Sequence, residues 1–147
     1  MDKKEFLKKI KNMGFSKVNA RLKKYASIAS FTYKSVYKNG QRNNYRKAFD
    51  MAYEKYGLYI FYDGTTNDIL YVGEAATEPF SKRLSQHFNQ SDGGLREKFV
   101  LDSTKMQELQ NSEVLILYIK KGEYSPKEIH FDEDLLIGLL CPVWNSR

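Results

Sequence analysis

The sequence predicts an α+β fold with a small three-stranded, mainly antiparallel sheet flanked by helices. Two short β-rich runs, GLYIFY at 57–62 and ILYVGE at 69–74, are separated by the turn-forming residues DGTTND, a pattern typical of a β-hairpin. The run EVLILYIK at 113–120 is apolar on both faces, which is typical of a central strand. Helical segments surround these strands, so the predicted order from residue 57 onward is β-β-α-α-β-α.

Three helical segments accompany the predicted strands. Residues 79–89 place an apolar side chain at every fourth position, as a one-sided helix does. Residues 95–110 are expected to be helical in pieces. A last helix is expected at about 131–140, where Pro142 ends it.

The charge distribution divides the chain into a predicted basic extension, residues 1–56, and a main domain, residues 57–147. The first part contains 15 Lys and Arg against 4 Asp and Glu, whereas the second contains 9 against 14. A strongly basic segment favours a polyanionic partner, most often nucleic acid. Lysines that only solvate helix surfaces would give the same charge pattern.

The basic extension is predicted to be mostly helical. Helices are expected at about 4–13, 17–29 and 42–55. Residues 31–38 are ambiguous because FTYKSVYK alternates like a strand, and the Asn39-Gly40 pair that follows signals a turn. Aromatic and basic residues interleave through the extension, which fits a nucleic-acid surface and, almost equally, a helical core with a wet basic exterior.

Composition excludes several classes of protein. No apolar run approaches the ~20 residues needed to span a bilayer, and no apolar signal segment follows the first residues, so a cytoplasmic protein is expected. Cys141 is the only cysteine, which rules out a disulfide within one chain. With only two histidines as well, a Cys/His zinc site within one chain is nearly excluded.

The hairpin resembles the two-part signature of the GIY-YIG nuclease family. GLY at 57–59 stands where the family has Gly-Ile-Tyr, and YVG at 71–73 stands where it has Tyr-Ile-Gly. Further family positions follow in order along the chain, at Arg83, His87, Glu133, Pro142 and Asn145. The resemblance covers residues 57–145.

This resemblance implies an endonuclease that hydrolyses phosphodiester bonds of DNA and uses Mg²⁺ or Mn²⁺. The catalytic residues it implies are Tyr59, Tyr71, Arg83, His87, Glu133 and Asn145. Tyr59 would orient and deprotonate the attacking water, with His87 as the neighbouring base that shares the proton. Tyr71 would hydrogen-bond the phosphate or the water.

The phase of two predicted helices agrees with these roles. Arg83, which would bind the scissile phosphate, lies beside the apolar stripe of its helix. Glu133 is in phase with the apolar side of the last helix, whereas Asp132 and Asp134 point elsewhere. An inward carboxylate needs a cation, which either Arg83 or a divalent ion would supply. The family pattern favours the metal at Glu133, with Asn145 bracing the site.

The hairpin register decides whether both tyrosines serve one site. The six-residue connection 63–68 would, in a regular hairpin, set Tyr59 opposite Val72, which puts Tyr59 and Tyr71 on opposite faces. A shared site therefore requires a shift of one residue. We expect a β-bulge or an odd-numbered loop.

One position departs from the family pattern. Many members have a lysine directly after Tyr-Ile-Gly, where this chain has Glu74. Either Lys82 or a lysine of the basic extension supplies the missing cation, or Glu74 takes part in catalysis or metal binding, or the activity is reduced. His130 has no family counterpart and is expected to be a surface residue near the last helix.

Within the family, the short chain suggests a stand-alone enzyme of restriction type. Such enzymes often act as dimers, so a homodimer is also suggested. The alternative is a DNA-binding module that keeps the fold without catalysis. The residues expected to contact DNA are Lys17, Arg21, Lys23, Lys24, Arg42, Arg46 and Lys82.

Overall fold

The sheet is larger than the sequence suggested. The computed structural model describes residues 1–36, 44–89, 92–120 and 122–145, and within these residues the sheet has five antiparallel strands. The strands are β1 (Tyr25–Ser27), β2 (Phe31–Thr32), β3 (Gly57–Asp63), β4 (Ile69–Ala75) and β5 (Ser112–Ile119). The predicted α+β class and antiparallel pairing are confirmed, whereas the predicted number of three strands is wrong.

Helices flank the sheet. They are α1 (Lys3–Asn12), α2 (Ser16–Leu22), α3 (Tyr33–Val36), α4 (Asn44–Phe49), α5 (Phe80–Phe88), α6 (Leu95–Lys98), α7 (Ser103–Gln110) and α8 (Pro126–Leu140), with a 3₁₀ turn at Asp50–Ala52. Helix α8 begins earlier than predicted because the Ser125 hydroxyl caps its first turn and Pro126 suits its first position. In the described ranges, no helix is both long and apolar enough to cross a membrane.

Strand β5 is central, as its apolar character predicted. It pairs with β3 along one side and with both β1 and β2 along the other, while β4 pairs with the far side of β3. The strand order β1-β5-β3-β4 therefore leaves β4 at an edge of the sheet.

Two strands come from the segment predicted to be mostly helical. The helix expected at 17–29 ends at Leu22, because the chain then extends to pair Tyr25 with Ile119 of β5. The strand-like 31–38 run forms only the two-residue β2 and then turns into α3. Pairing with the free side of β5 outweighs the local helical pattern here. Asn39, Gly40 and Arg42 lie outside the described residues.

Alternation along the strands produces an apolar layer on each face of the sheet. One layer packs against α1, α2 and α8 and includes Phe6, Ile10, Leu22, Leu58, Ile60, Val72, Ile129 and Leu136. The other packs against α3 to α7 and includes Tyr59, Phe61, Phe80, Leu84, Phe88, Val114 and Ile116. Side chains of residues 1–56 contribute to both layers.

A buried carboxylate ties α2 and β1 to α8. Asp132 is only 1 % exposed, and it accepts hydrogen bonds from Arg21 Nε at 2.7 Å and from the Tyr25 hydroxyl at 2.7 Å. Lys24 Nζ lies 2.9 Å from Oδ2 of Asp132, the same oxygen that accepts the Tyr25 hydroxyl. Burial and this carboxylate raise the pKa of Tyr25, which keeps its hydroxyl a donor. The helix phase placed Asp132 off the inward side of the last helix, and its burial shows that this expectation is wrong.

Removal of this carboxylate should destabilise the fold. Asp132→Ala leaves the buried Tyr25 hydroxyl without its acceptor and Arg21 without its partner, so we expect the free energy of unfolding to fall by about 2–4 kcal/mol. Asp50→Ala is the matched control, because Asp50 forms an exposed ion pair with Arg46. That control should change stability by less than about 0.5 kcal/mol. Urea unfolding measures both, and equal effects would contradict a structural role for Asp132.

Candidate functional site

The register of the β3–β4 hairpin places two tyrosines on one face. Tyr59 lies opposite Gly73 and Phe61 opposite Tyr71, after which the register shifts at the Phe61/Tyr62 step. Tyr59 and Tyr71 therefore face the same layer, with their rings stacked 6.2 Å apart. The predicted irregularity is confirmed, and it removes the geometric objection to a shared site.

The turn between these strands is fixed by its own polar residues. The Asp63 carboxylate accepts hydrogen bonds from the backbone of Thr65 and Thr66, and Asn67 adopts the left-handed conformation that asparagine tolerates. The conformation of this turn helps to fix the register in which β3 and β4 pair.

Gly73 allows Tyr59 to lie across β4. A Cβ atom at position 73 would stand 2.3 Å from the Tyr59 ring, far closer than two carbon atoms approach. Gly73 is therefore required because the Tyr59 ring fills the space that a side chain at position 73 would occupy. The two halves of the motif are parts of one packing contact.

His87 holds the Tyr59 hydroxyl from the helix side. Its Nε2 lies 2.8 Å from the Tyr59 hydroxyl, and its Nδ1 accepts a hydrogen bond from the Leu95 backbone N–H at 3.1 Å. A ring nitrogen that accepts carries no proton, so the imidazole proton belongs on Nε2. His87 thus donates to Tyr59. Burial, with help from the Arg83 charge, lowers the pKa of His87 to about 3.

This tautomer does not suit the role of a base that takes the Tyr59 proton. Nε2 already carries a proton, and Nδ1 is engaged with the backbone of Leu95. What the arrangement can do is fix the Tyr59 oxygen and stabilise negative charge on it. The expected contact between His87 and Tyr59 is present. In it, however, His87 donates a hydrogen bond to the Tyr59 oxygen and does not accept the Tyr59 proton.

Gly94 makes the contact with Leu95 geometrically feasible. A Cβ atom at position 94 would lie 2.1 Å from the Gln86 carbonyl oxygen, so only glycine lets the chain pass this close to the end of α5. No motif in the sequence marked Gly94 or Leu95 as a site residue. The only sequence signal near them is the SDGG run at 91–94, and it indicates the end of a helix rather than a functional site.

Arg83 projects from α5 toward the tyrosines and Glu133. Its Nε donates to the backbone carbonyl of Glu74 at 3.2 Å, and one terminal nitrogen donates to the Gln86 side chain at 3.1 Å. Its charge lowers the pKa values of Tyr59, Tyr71 and Glu133 against stronger opposing effects. The guanidinium is therefore held by neutral acceptors, and its charge acts on the site.

The tyrosines differ in accessibility. Tyr59 is fully buried, whereas Tyr71 is partly exposed. Burial raises the pKa of Tyr59 well above its usual value, and the neighbouring Tyr71 and Glu133 add to the rise. Burial and Glu133 also raise the pKa of Tyr71, while Arg83 and a hydrogen bond from Tyr59 oppose that rise.

Glu133 is half-buried in a group of like charges. Burial raises its pKa to about 7, and Glu74 and Asp134 contribute further, while His130 and Arg83 act in the opposite direction. Arg83 bonds elsewhere, so it does not neutralise this carboxylate by direct contact. The carboxylate therefore lies where a cation would be stabilised.

Glu74 and His130 form a contact that the sequence did not predict. Their side chains meet at 3.0 Å, from Nδ1 of His130 to a Glu74 oxygen, although the residues are 56 positions apart. His130 is exposed, as expected, but it is not isolated. Together with Glu133, the two residues offer ligand atoms that all lie within 4.8 Å of one another.

Asn145 braces the edge strand beside Tyr71. Its side-chain oxygen accepts from the Val72 N–H and its amide donates to the Val72 carbonyl, both at 2.9 Å. The Trp144 N–H adds a bond to the Leu70 carbonyl at 2.9 Å. The asparagine therefore bonds both backbone groups of a single residue of β4.

The residues predicted to contact DNA differ in their exposure and in their ion-pair partners. Arg21 and Lys24 are bound to the buried Asp132. Arg46 is exposed and pairs with Asp50. Lys17, Lys23 and Lys82 are exposed.

The pKa values of the two histidines are shifted in opposite directions. The hydrogen bond and charge of Glu74, together with the charge of Asp134, raise the pKa of His130 above 6.5. In the folded, metal-free protein, NMR should show a midpoint for His130 above pH 6.5, while His87 stays neutral with its proton on Nε2 until about pH 3.

The lowered pKa of His87 should also make the stability of the fold depend on pH. Between pH 6.5 and about pH 3 the unfolded chain protonates His87 and the folded protein does not, so the His87 contribution to stability is lost as the pH falls through this window. A His87 signal that titrates near 6.5 in the folded protein would contradict the proposed hydrogen-bond network.

Comparison with known families agrees with the assembled site. The GIY-YIG catalytic domain family matches residues 55–136, more than half of the chain. The matched region holds Tyr59, Tyr71, Arg83 and Glu133, and it ends before Asn145. Searches of curated proteins and of solved structures gave no match. With the family match covering this hairpin and these helices, the chain belongs to the GIY-YIG catalytic domain family.

Proposed function

We propose that the protein is an endonuclease that hydrolyses phosphodiester bonds of DNA with the help of Mg²⁺ or Mn²⁺. Membership of the family implies an endonuclease. The observation that carries the proposal is the convergence of Tyr59, Tyr71 and Arg83 on one face of the hairpin, within electrostatic reach of Glu133. These four groups come from four separate elements, β3, β4, α5 and α8, and a protein without chemistry has no need to bring them together.

Arg83 is assigned to the scissile phosphate. Its side chain is oriented by the Glu74 carbonyl and by Gln86, both neutral acceptors, so its positive charge remains available. A guanidinium binds phosphate through two N–H groups and stabilises the charge that develops as water attacks phosphorus.

Tyr71 is assigned to the attacking water. It is the more accessible of the two tyrosines, so its hydroxyl meets the water first. Its anionic form would accept the proton of the water. Burial and Glu133 raise the pKa of Tyr71, and Arg83 and Tyr59 oppose that rise. Tyr59 is then a positioning residue, whose oxygen is fixed by His87.

Glu133 is assigned to the metal ion. Its carboxylate is half-buried beside Glu74, and oxygen ligands of this kind suit Mg²⁺ and Mn²⁺. A divalent ion bound there would bind a phosphate oxygen and neutralise the Glu133 charge that raises the pKa of Tyr71. Asn145 keeps β4 in place beside these groups.

DNA contact is proposed for the exposed basic residues, which are Lys17, Lys23, Arg46 and Lys82. Arg21 and Lys24 are assigned to the fold instead, because Asp132 already binds them. A restriction-type role, a homodimer, a cytoplasmic location and the division at residue 56 stay predictions from the sequence.

Salt dependence tests the DNA contacts. If Lys23 and Lys82 each neutralise one phosphate, Lys23→Ala and Lys82→Ala should each reduce the slope of log affinity against log salt by about 0.9. Fluorescence anisotropy with a short duplex measures this slope. Lys105→Ala on α7 is the control and should leave it unchanged. Point substitutions are required because deletion of the N-terminal segment would remove β1 and β2 from the sheet.

Plasmid cleavage tests the enzyme. The wild type should cut supercoiled DNA in Mg²⁺ or Mn²⁺, and Glu133→Gln and Tyr59→Phe should lower the rate by about 10²-fold or more. The matched controls are Glu128→Gln on the same helix, whose side chain contacts Lys24, and Tyr62→Phe on the same strand, whose ring faces the other layer. Both controls should stay within about threefold of wild type.

The alternative is a DNA-binding module that keeps the fold and has no activity. Glu74 favours it, because an acidic side chain stands next to the expected phosphate site. Binding of DNA without cutting by the wild type in either metal would support the module. Equal cutting by wild type and Glu133→Gln would show that the assigned site is not the source of activity.

A further inference from the structure

We propose that Glu74 and His130 complete the metal site with Glu133, and that the resulting site binds Mn²⁺ more tightly than Mg²⁺. The inference rests on the proposed function for the role of Glu133 and extends it to two residues outside the family pattern. The three side chains come from β4 and from one turn of α8, where positions three apart share a face.

The spacing of the donor atoms suits a divalent ion. Adjacent ligands of an octahedral ion with bonds of ~2.1 Å lie about 3 Å apart, and opposite ligands lie about 4.2 Å apart. The His130 Nδ1 to Glu74 distance is 3.0 Å, and all three ligand atoms lie within 4.8 Å of one another. Small side-chain adjustments would bring all three to one ion.

The second ring nitrogen of His130 is oriented by an acidic neighbour. Its Nε2 lies 3.5 Å from Asp134, one turn further along α8. Histidine ligands commonly donate their other N–H to a carboxylate, which fixes the tautomer and turns the lone pair to the metal, and Asp134 lies at ion-pair distance for this role. With the proton on Nε2, the lone pair of Nδ1 faces the Glu74 carboxylate directly.

Two acceptors that face each other need a positive charge between them. Either a proton or a metal ion would satisfy the His130–Glu74 contact, and the approach of Glu133 adds a second carboxylate to the same position. A proton bridges only one pair of atoms, whereas a divalent ion binds all three. Two carboxylates also match its charge.

The imidazole sets the metal preference. Mg²⁺ is a hard ion that binds oxygen and retains water, so His130 adds little to its affinity. Mn²⁺ accepts carboxylate and gains more from a nitrogen ligand. The cluster of two carboxylates and one imidazole therefore favours Mn²⁺.

Direct measurement of metal binding tests this inference without reference to activity. Metal-free protein is titrated with MnCl₂ or MgCl₂ by calorimetry, and bound Mn²⁺ is followed by electron paramagnetic resonance. We expect His130→Gln and Glu74→Gln to weaken Mn²⁺ binding about tenfold or more. His130→Gln should change Mg²⁺ binding much less. Glu128→Gln on the same helix is the control and should bind as the wild type does. All the substituted side chains are at least partly exposed, so the fold should tolerate the changes.

The outcomes separate this inference from the proposed function. Wild-type Mn²⁺ affinity in both His130→Gln and Glu74→Gln, with loss in Glu133→Gln, would overturn the three-residue site and leave the nuclease proposal intact. Tighter binding of Mg²⁺ than of Mn²⁺ by the wild type would overturn the stated preference. Binding of Mn²⁺ that depends on all three residues, in a protein that does not cut DNA, would support the site and contradict the nuclease.

Discussion

The one-residue register shift between β3 and β4 is the constraint on which the site depends. Strand alternation sends neighbouring side chains to opposite faces, so a regular hairpin would separate Tyr59 from Tyr71 by the thickness of the sheet. The shift at the Phe61/Tyr62 step returns both rings to the layer that α5 covers. Arg83 and His87 reach the tyrosines only because that layer is shared. A hairpin of the regular register would keep every motif residue and lose the site.

The site extends around the edge strand rather than lying on one face. Tyr59 and Tyr71 face α5, whereas the alternation of β4 turns Glu74 to the side of α8, where His130 and Glu133 lie. An edge strand is the place in a sheet where side chains of both faces approach the same ligand. The electrostatic effect of Glu133 on both tyrosines agrees with this arrangement.

The sequence predicted those features that depend on local periodicity. The hairpin, its register shift and the central position of β5 all follow from spacing along the chain. Helix phase was less accurate, because Glu133 is half-buried and the neighbouring Asp132 is fully buried. What the sequence missed depends on contacts between distant segments. Residues 25–27 and 31–32 form strands because β5 offers a free side, and the His87 tautomer depends on one backbone N–H from Leu95. The Glu74–His130 contact joins positions with no common period.

The pairing of Asn145 with both backbone groups of Val72 also has a consequence for solubility. A strand at the edge of a sheet presents free N–H and C=O groups, which recruit strands from other molecules and lead to aggregation. Asn145 and the Trp144 N–H occupy these groups on β4 at Leu70 and Val72. The same amide that supports the backbone beside Tyr71 therefore blocks β-strand addition at that edge, and it does so without a further strand that would cover the side chains of the site.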